Sequence, residues 1–236
     1  MAKIHRFFIS VDSIDLGKSS NLSITDKNFV HQISRVLRYR VGDSLVLFNN
    51  KSKDAVCKIN RISKDSVDLE KLSENESLVP KRDVQLFFSL MKKDKNDWVL
   101  QKCTELGVTN FVPIIAGRSE KTGFDVSRAK KIVTEAAEQC GRSDIPLIIE
   151  PISIRTALVE YSGIDLLWSE QTEDSDDSAN AQNLKPRVGV FVGPEGGWTD
   201  EEKSEFLDSK ATKYSTSKFT LRAETACVVA AAMLVK

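Results

Sequence analysis

Residues 192–202 read VGPEGGWTDEE. An apolar run, VGVFV, stops at Gly193-Pro194-Glu195-Gly196-Gly197, and a helix is expected a few residues later. A glycine loop between a strand and a helix can cradle phosphates, because backbone N–H groups and the positive helix end both favour an anion. This loop fits that role poorly. Thr199 and Glu202 match a capping box, and Asp200, Glu201 and Glu202 fill the first helical turn, where acids already complement the dipole. Glu195 adds a negative charge inside the loop. The Gly-Lys-Ser/Thr ending of a P-loop and the Gly-x-Gly-x-x-Gly spacing are both missing. Glycines still permit close backbone approach to a flat ligand, and nearby acids suit a neutral or cationic one. S-adenosylmethionine, with its sulfonium and amine, is a ligand of that kind. A purely structural tight turn is the other reading.

The elements that must position this loop alternate from residue 84 onward. Strand VQLFFSLM leads to helix DKNDWVLQKCTELG, in which Val99, Cys103 and Leu106 share a face and Gly107 marks the stop. Strand FVPIIA, helix SRAKKIVTEAAEQCG, strand PLIIEP, helix SIRTALVEY and strand IDLLW follow. The acidic stretch SEQTEDSDDSANAQNLKP reads as a loop. Strand RVGVFV then enters the glycine loop, followed by helix TDEEKSEFL, a short strand near TKYST and an apolar last helix, AETACVVAAAMLV. Alternating strands and helices imply a parallel α/β sheet, whose ligands bind at the carboxyl ends of strands. Residues 1–72 read differently. KIHRFFIS, SLVLFN, DAVCKINRIS and SVDLEKL are candidate strands, interrupted by one helix with Phe29, Val30, Ile33, Val36 and Leu37 on a face and Thr25 as its N-cap. That predicts a small β-barrel carrying one helix. Residues 73–83, polar with a proline, read as the linker.

Of the 236 residues, 41% are hydrophobic and 29% charged, the make-up of an ordinary globular protein. No apolar run approaches the roughly 20 residues of a membrane helix, and the opening MAKIHRFFISVD lacks a signal-peptide layout. A cytoplasmic location is therefore expected. Cys57, Cys103, Cys140 and Cys227 are far apart, so reduced core thiols are expected rather than a disulfide framework or zinc site. The zero net charge conceals an asymmetry. Residues 1–70 carry 12 basic and 8 acidic side chains and the remainder 22 and 26, a weak pointer to nucleic acid.

FVGPEGGWTDEE, followed by LRAETA at 221–226, resembles the RsmE family of 16S ribosomal RNA uridine N3-methyltransferases, within the SPOUT class of knotted methyltransferases. RFF at 6–8, RVLRYRVGD at 35–43, DWVLQKCTELGV at 97–108 and EAAEQCGRSDIP at 135–146 occur in the family's order, so the resemblance covers nearly the whole chain. It implies an N-terminal PUA-like β-barrel that helps bind RNA and a C-terminal parallel α/β domain with a trefoil knot. It also implies a homodimer with each site near the subunit interface, and no metal. The cofactor S-adenosyl-L-methionine would lie between three loops. These match Leu167, Trp168 and Ser169 at the end of one strand, Gly193, Pro194, Glu195, Gly196 and Gly197, and a last stretch with Thr216, Ser217, Leu221 and Thr225. The family usually reads Leu-Gly-Pro-Arg ahead of LRAETA, where this chain reads Thr216-Ser217-Lys218-Phe219. A serine in the glycine's place makes any positive φ costly.

Methylation at a uracil ring nitrogen requires its proton to be removed or its anion stabilised, with nitrogen, methyl and sulfur held in line. On this resemblance Arg222 would stabilise the charge on the uracil oxygen, and Glu224 would orient the base or accept its proton. The alternative is that the two merely pair and shape the loop. Arg6, Arg35, Arg38, Arg118 and Arg142 are candidate RNA contacts, since guanidiniums suit phosphates; structural ion pairs or a solvated basic face are the alternatives. Trp98 reads as a core or dimer contact, and His5 and His31 take no role. The competing function is an RNA-binding ribosome-assembly protein with a weakened cofactor site.

Overall fold

Leu45 and Leu47, Cys57 and Ile59, and Val67 and Leu69 are buried with the two-residue period of strands that put one face on a core. A computed structural model describes residues 4–10, 16, 19–51, 53–119, 123–170 and 184–235. The chain divides into two compact units, Met1–Val79 with Ala137–Ile145, and Pro80–Ala136 with Pro146–Lys236.

The first unit holds strands β1 (Arg6–Phe8), β2 (Asn21–Ile24), β3 (Ser44–Phe48), β4 (Asp54–Ile62) and β5 (Val67–Asn75). They form a mixed sheet in the order β1-β3-β4-β5-β2, with β1 parallel to β3 and the other pairs antiparallel. Register shifts in the β4–β5 ladder curl it, and Phe29, Val30 and Ile33 pack into the concave face. Those three come from helix α1 (Lys27–His31) and the π-helical turn Gln32–Val36 that follows it. Two expectations need correction. The N-cap is Asp26, whose carboxylate accepts the Phe29 N–H at 2.8 Å, and not Thr25. β5 continues to Asn75, three residues into the expected linker, because it pairs with β4 as far as Asp54. β2 was not expected: only Leu22 and Ile24 mark its inward face, too short a run to show a period.

This unit also accounts for two arginines. Arg6 is ion-paired at 2.6 Å with Asp54, which is 1% exposed. Ser143 donates to the same carboxylate at 2.8 Å and accepts from Arg6 at 3.1 Å. Arg142 is 5% exposed and makes a two-pronged pair with Asp144, at 2.9 and 2.5 Å. The reading of Arg6 and Arg142 as RNA contacts therefore gives way to a structural one, since both guanidiniums are committed to carboxylates. Arg35 and Arg38 remain exposed.

The second unit contains β6 (Asp83–Ser89), α2 (Lys93–Leu106), β7 (Asn110–Ile115), α3 (Val126–Cys140, whose last residues belong to the first unit), β8 (Leu147–Ile148), β9 (Ile152–Ser153) and α4 (Ile154–Glu160). β10 (Asp165–Ser169), β11 (Arg187–Val192), α5 (Asp200–Asp208), β12 (Thr212–Tyr214) and α6 (Ala223–Leu234) complete it. Every strand pair is parallel, in the order β12-β10-β11-β6-β7-β8, with β9 also on β7. The central strands β6 and β11 are buried on both faces, as their near-continuous apolar runs require. Of the expected strand PLIIEP, residues 146–151, only Leu147 and Ile148 are strand; β9 starts just past its end, where a helix was expected from Ser153. The acidic stretch expected as a loop falls mostly on 171–183, outside the described residues. Among the described residues no helix is long and apolar enough to cross a membrane. Cys57, Cys103 and Cys227 are buried and free, and burial pushes the Cys57 thiol up to about 11; only Cys140 is exposed.

Asp54 carries the test of this packing. Removing one partner of a buried ion pair strands the other, so Asp54→Ala should lower unfolding stability by about 3 kcal/mol, read as a reduced denaturant midpoint for the full chain. Arg35→Ala, an exposed change, should leave that midpoint in place.

Candidate active site

Four strand ends meet on one edge of the second unit, because β10, β11, β6 and β7 are neighbours and all point the same way. The glycine turn after β11 is held there by side chains that occupy the space its own residues leave. A Cβ on Gly193 would come within 2.9 Å of the Trp198 ring, and one on Gly196 within 3.3 Å of the Arg118 side chain. Gly197 has φ +68°, a conformation that suits glycine. Trp198 is buried, and its indole N–H donates at 3.0 Å to the Ser169 carbonyl at the end of β10. Arg118, on the loop after β7, donates to the carbonyls of Gly196 at 2.9 Å and Trp198 at 3.2 Å. Beneath the turn, Phe206 lies between the stacked Trp168 and the edge-on Trp198 and Phe191.

The capping box forms as expected: Thr199 Oγ1 accepts from Glu202 N, and the Glu202 carboxylate accepts from Thr199 N. The same carboxylate takes the Gly117 N–H at 2.8 Å, joining α5 to the β7 loop. These N–H groups are thus engaged by protein, which disfavours a phosphate on firmer grounds than charge alone. Glu195 has a partner distant in sequence. Lys95, at the start of α2, ion-pairs with it and lies 3.5 Å from Glu224. That contact holds the Glu195 carboxyl below its ordinary value and raises the Lys95 ammonium.

Between the glycine turn, the end of β10 and the loop leading into α6 lies a cavity of about 360 Å³. Its walls include Gly193, Pro194, Glu195, Gly196 and Gly197, with Ser169 from β10 and Thr216, Ser217 and Leu221 from the last loop. The three expected loops therefore do converge. Leu167 and Trp168 do not line it; they are 1% and 3% exposed and belong to the core beneath. Thr225 is also absent from the walls. Arg222, exposed, is the residue before α6, between Leu221 and Ala223, which both line the cavity; Glu224 follows in the first turn. Arg118 lies on the wall as a brace for the turn, where an RNA contact was expected.

Sequence reasoning missed Glu170, Lys203 and Phe219. Burial works against ionisation of Glu170, but Lys203 and Lys213 override it and hold its carboxyl below the ordinary value. Phe219, 80% exposed, stands at the cavity as a large unpartnered ring. Ser217 costs no backbone strain, since its φ is not positive, and its hydroxyl accepts the Phe219 N–H at 3.0 Å. The serine therefore stabilises a local turn in place of the conformational freedom of glycine.

Known proteins resemble this chain in sequence and fold. A profile described as an RNA methyltransferase domain matches residues 79–235, and one described as an RNA methyltransferase PUA domain matches 30–72. The chain is 31% identical to ribosomal RNA small subunit methyltransferase E of Bacillus subtilis, over 94% of this chain and 93% of that protein. It is 29% identical to the protein of that name from Rickettsia conorii, over 93% and 91%. A crystal structure of the Neisseria gonorrhoeae protein of that name, bound to S-adenosyl methionine, superposes with a TM-score of 0.82 at 26% identity, covering 98% of this chain and 96% of that one.

Gly193→Ala would drive a methyl group into the Trp198 ring. The indole would have to leave the Ser169 carbonyl, at an overpacking cost of about 1–3 kcal/mol. We expect a lower thermal midpoint together with at least a tenfold weaker affinity for S-adenosylmethionine by titration calorimetry (about 1.4 kcal/mol).

Proposed function

The chain belongs to the ribosomal RNA small subunit methyltransferase E family of RNA methyltransferases, and from that premise we propose that it transfers a methyl group from S-adenosyl-L-methionine to N3 of a uridine in 16S ribosomal RNA. The observation that carries this reading is the 360 Å³ cavity, closed by three loops at the carboxyl ends of parallel strands, with Arg222 beside it. The residues present fit the cofactor. Gly193 and Gly196 let backbone come close, and Glu170 and Glu195, each paired with lysine, put carboxylate oxygens on the wall that can accept hydrogen bonds. Ser169, the glycine turn and Thr216, Ser217 and Leu221 would hold it, and when bound it supplies a methyl group already activated on a sulfonium. The last loop would pass under its neighbours in the trefoil knot of the family.

On this reading Arg222 places its guanidinium where charge builds on a uracil oxygen as N3 is deprotonated, a stabilisation made mainly in the transition state. Glu224 is the nearby carboxylate that orients the base or takes its proton. Arg35 and Arg38, exposed on the first unit, contact the RNA backbone. The enzyme acts in the cytoplasm as a homodimer. Trp98 and Leu106 on α2 and Met233 on α6, which packs against α2, are exposed apolar side chains that a second copy would cover.

Mass spectrometry of ribosomal RNA tests the reaction and the site together. Cells lacking this protein should lose one N3-methyluridine from the small-subunit RNA, and the intact chain should restore it. Arg222→Ala should bind S-adenosylmethionine normally yet transfer methyl at least about 100-fold more slowly in vitro. An unchanged modification profile in the deletion strain would refute the assignment.

A further inference from the structure

The order in which the chain adds parallel strands reverses between β6 and β11. From β6 the chain moves outward through β7 to β8, whereas β10, β11 and β12 all lie on the other side. In open parallel sheets the crevice above such a switch point is where ligands bind. Here that crevice is a second cavity of about 220 Å³, which shares Arg118, Pro194, Glu195 and Gly196 with the larger one. Its opposite side is Met91, Lys92 and Lys95. At this volume it falls below the pockets of drug-sized ligands and suits a single ring.

The β6 side is rigid. Asn96, buried, accepts the Met91 N–H at 3.1 Å and donates to the Met91 carbonyl at 3.0 Å, which sets the turn from β6 into α2. Lys95 projects from that turn with its side chain 23% exposed, and its ammonium lies between Glu195 on the glycine turn and Glu224 on α6. The buried Glu224 Oε2 makes no hydrogen bond, so Lys95 at 3.5 Å is the charge that faces it. One ammonium thus ties together the wall common to both cavities and the start of α6.

We propose that this switch-point cavity receives the target base, and that Lys95 is a positioning residue for methyl transfer, holding the Glu195 and Glu224 carboxylates against it. The inference rests on the methyltransferase reading above. The imide edge of uracil presents an oxygen, an N–H and an oxygen, two acceptors flanking a donor. A wall of ammonium and carboxylate groups complements that order: Lys92 donates to a ring oxygen, and a carboxylate held by Lys95 accepts from N3. Cytosine, whose N3 carries no proton and whose neighbour is an amine, mismatches it. In the transfer, N3 gives its proton to a carboxylate and forms the bond to the methyl carbon. The carbon–sulfur bond breaks with its electron pair remaining on sulfur, so the sulfonium charge is lost and the proton passes to solvent.

The test uses full-length Lys95→Met, Lys95→Arg and Lys92→Trp. Each is assayed for S-adenosylmethionine affinity by calorimetry and for single-turnover methylation of small-subunit RNA from cells lacking the protein. Lys95→Met should keep cofactor affinity within about twofold while transfer slows at least about 100-fold, the scale of a misplaced reacting group. Lys95→Arg should recover most of the rate, which a role confined to packing would not require. Lys92 is exposed on the cavity wall, so Lys92→Trp should fold, with an unchanged thermal midpoint, and fill the cavity; transfer should fall similarly with cofactor affinity intact. Transfer within about threefold of wild type in Lys95→Met or Lys92→Trp overturns the proposal. So does a parallel loss of cofactor affinity, which would make Lys95 a support for the cofactor wall alone. Absence of transfer by the wild-type chain overturns the methyltransferase reading itself, and this inference with it.

Discussion

The candidate site hangs on one indole. Trp198 fills the space that a side chain at Gly193 would need and ties the glycine turn to the Ser169 carbonyl. In doing so it sets the distance between the ends of β10 and β11, and hence the width of the larger cavity. Phe206, Trp168 and Phe191 support it from below, so the turn stands on packed aromatic rings. Close-packed interiors transmit small displacements, which makes the glycines as much a consequence of the tryptophan as of any ligand.

Charge is arranged around that turn with the same economy. Glu202 is used twice, once to cap α5 and once to hold the β7 loop. Arg118 joins the loop after β7 to the glycine turn through the Gly196 and Trp198 carbonyls. Lys95 couples the turn to α6, and Lys203 and Lys213 keep Glu170 ionised. The loops after β6, β7, β10 and β11 are therefore cross-linked by polar contacts between residues distant in sequence, and an edge of separate connections behaves as one surface.

Much of this was legible in the sequence because it is local. The capping box at Thr199 and Glu202, the stop at Gly107 and the two-residue alternation of β3, β4 and β5 are written within a few residues of themselves. The three loops named through resemblance border one cavity, with Ser169, the glycine turn and Thr216, Ser217 and Leu221 on its wall. Leu167 and Trp168 lie off the cavity wall because a strand end offers its last residue to the cavity and sends the preceding side chains into the core. The remainder was hidden by sequence distance. Arg6 finds Asp54 and Ser143, and Lys95 finds Glu195 one hundred residues on, with no local pattern to announce either pairing. The lysine that pairs with the glutamate of the glycine turn is hidden for the same reason, and Ser217 fits its place because its hydroxyl accepts the Phe219 N–H.

The central claim is that the methyl donor sits on the edge where β10 and β11 end. A crystal structure of this protein soaked with S-adenosylmethionine tests it most directly. The account predicts density for the cofactor between Ser169, the turn Gly193–Gly197 and the loop Thr216–Leu221, with Trp198 still bonded to Ser169. Density instead in the separate cavity beside Phe124 and Arg128, with the glycine turn empty, would contradict it.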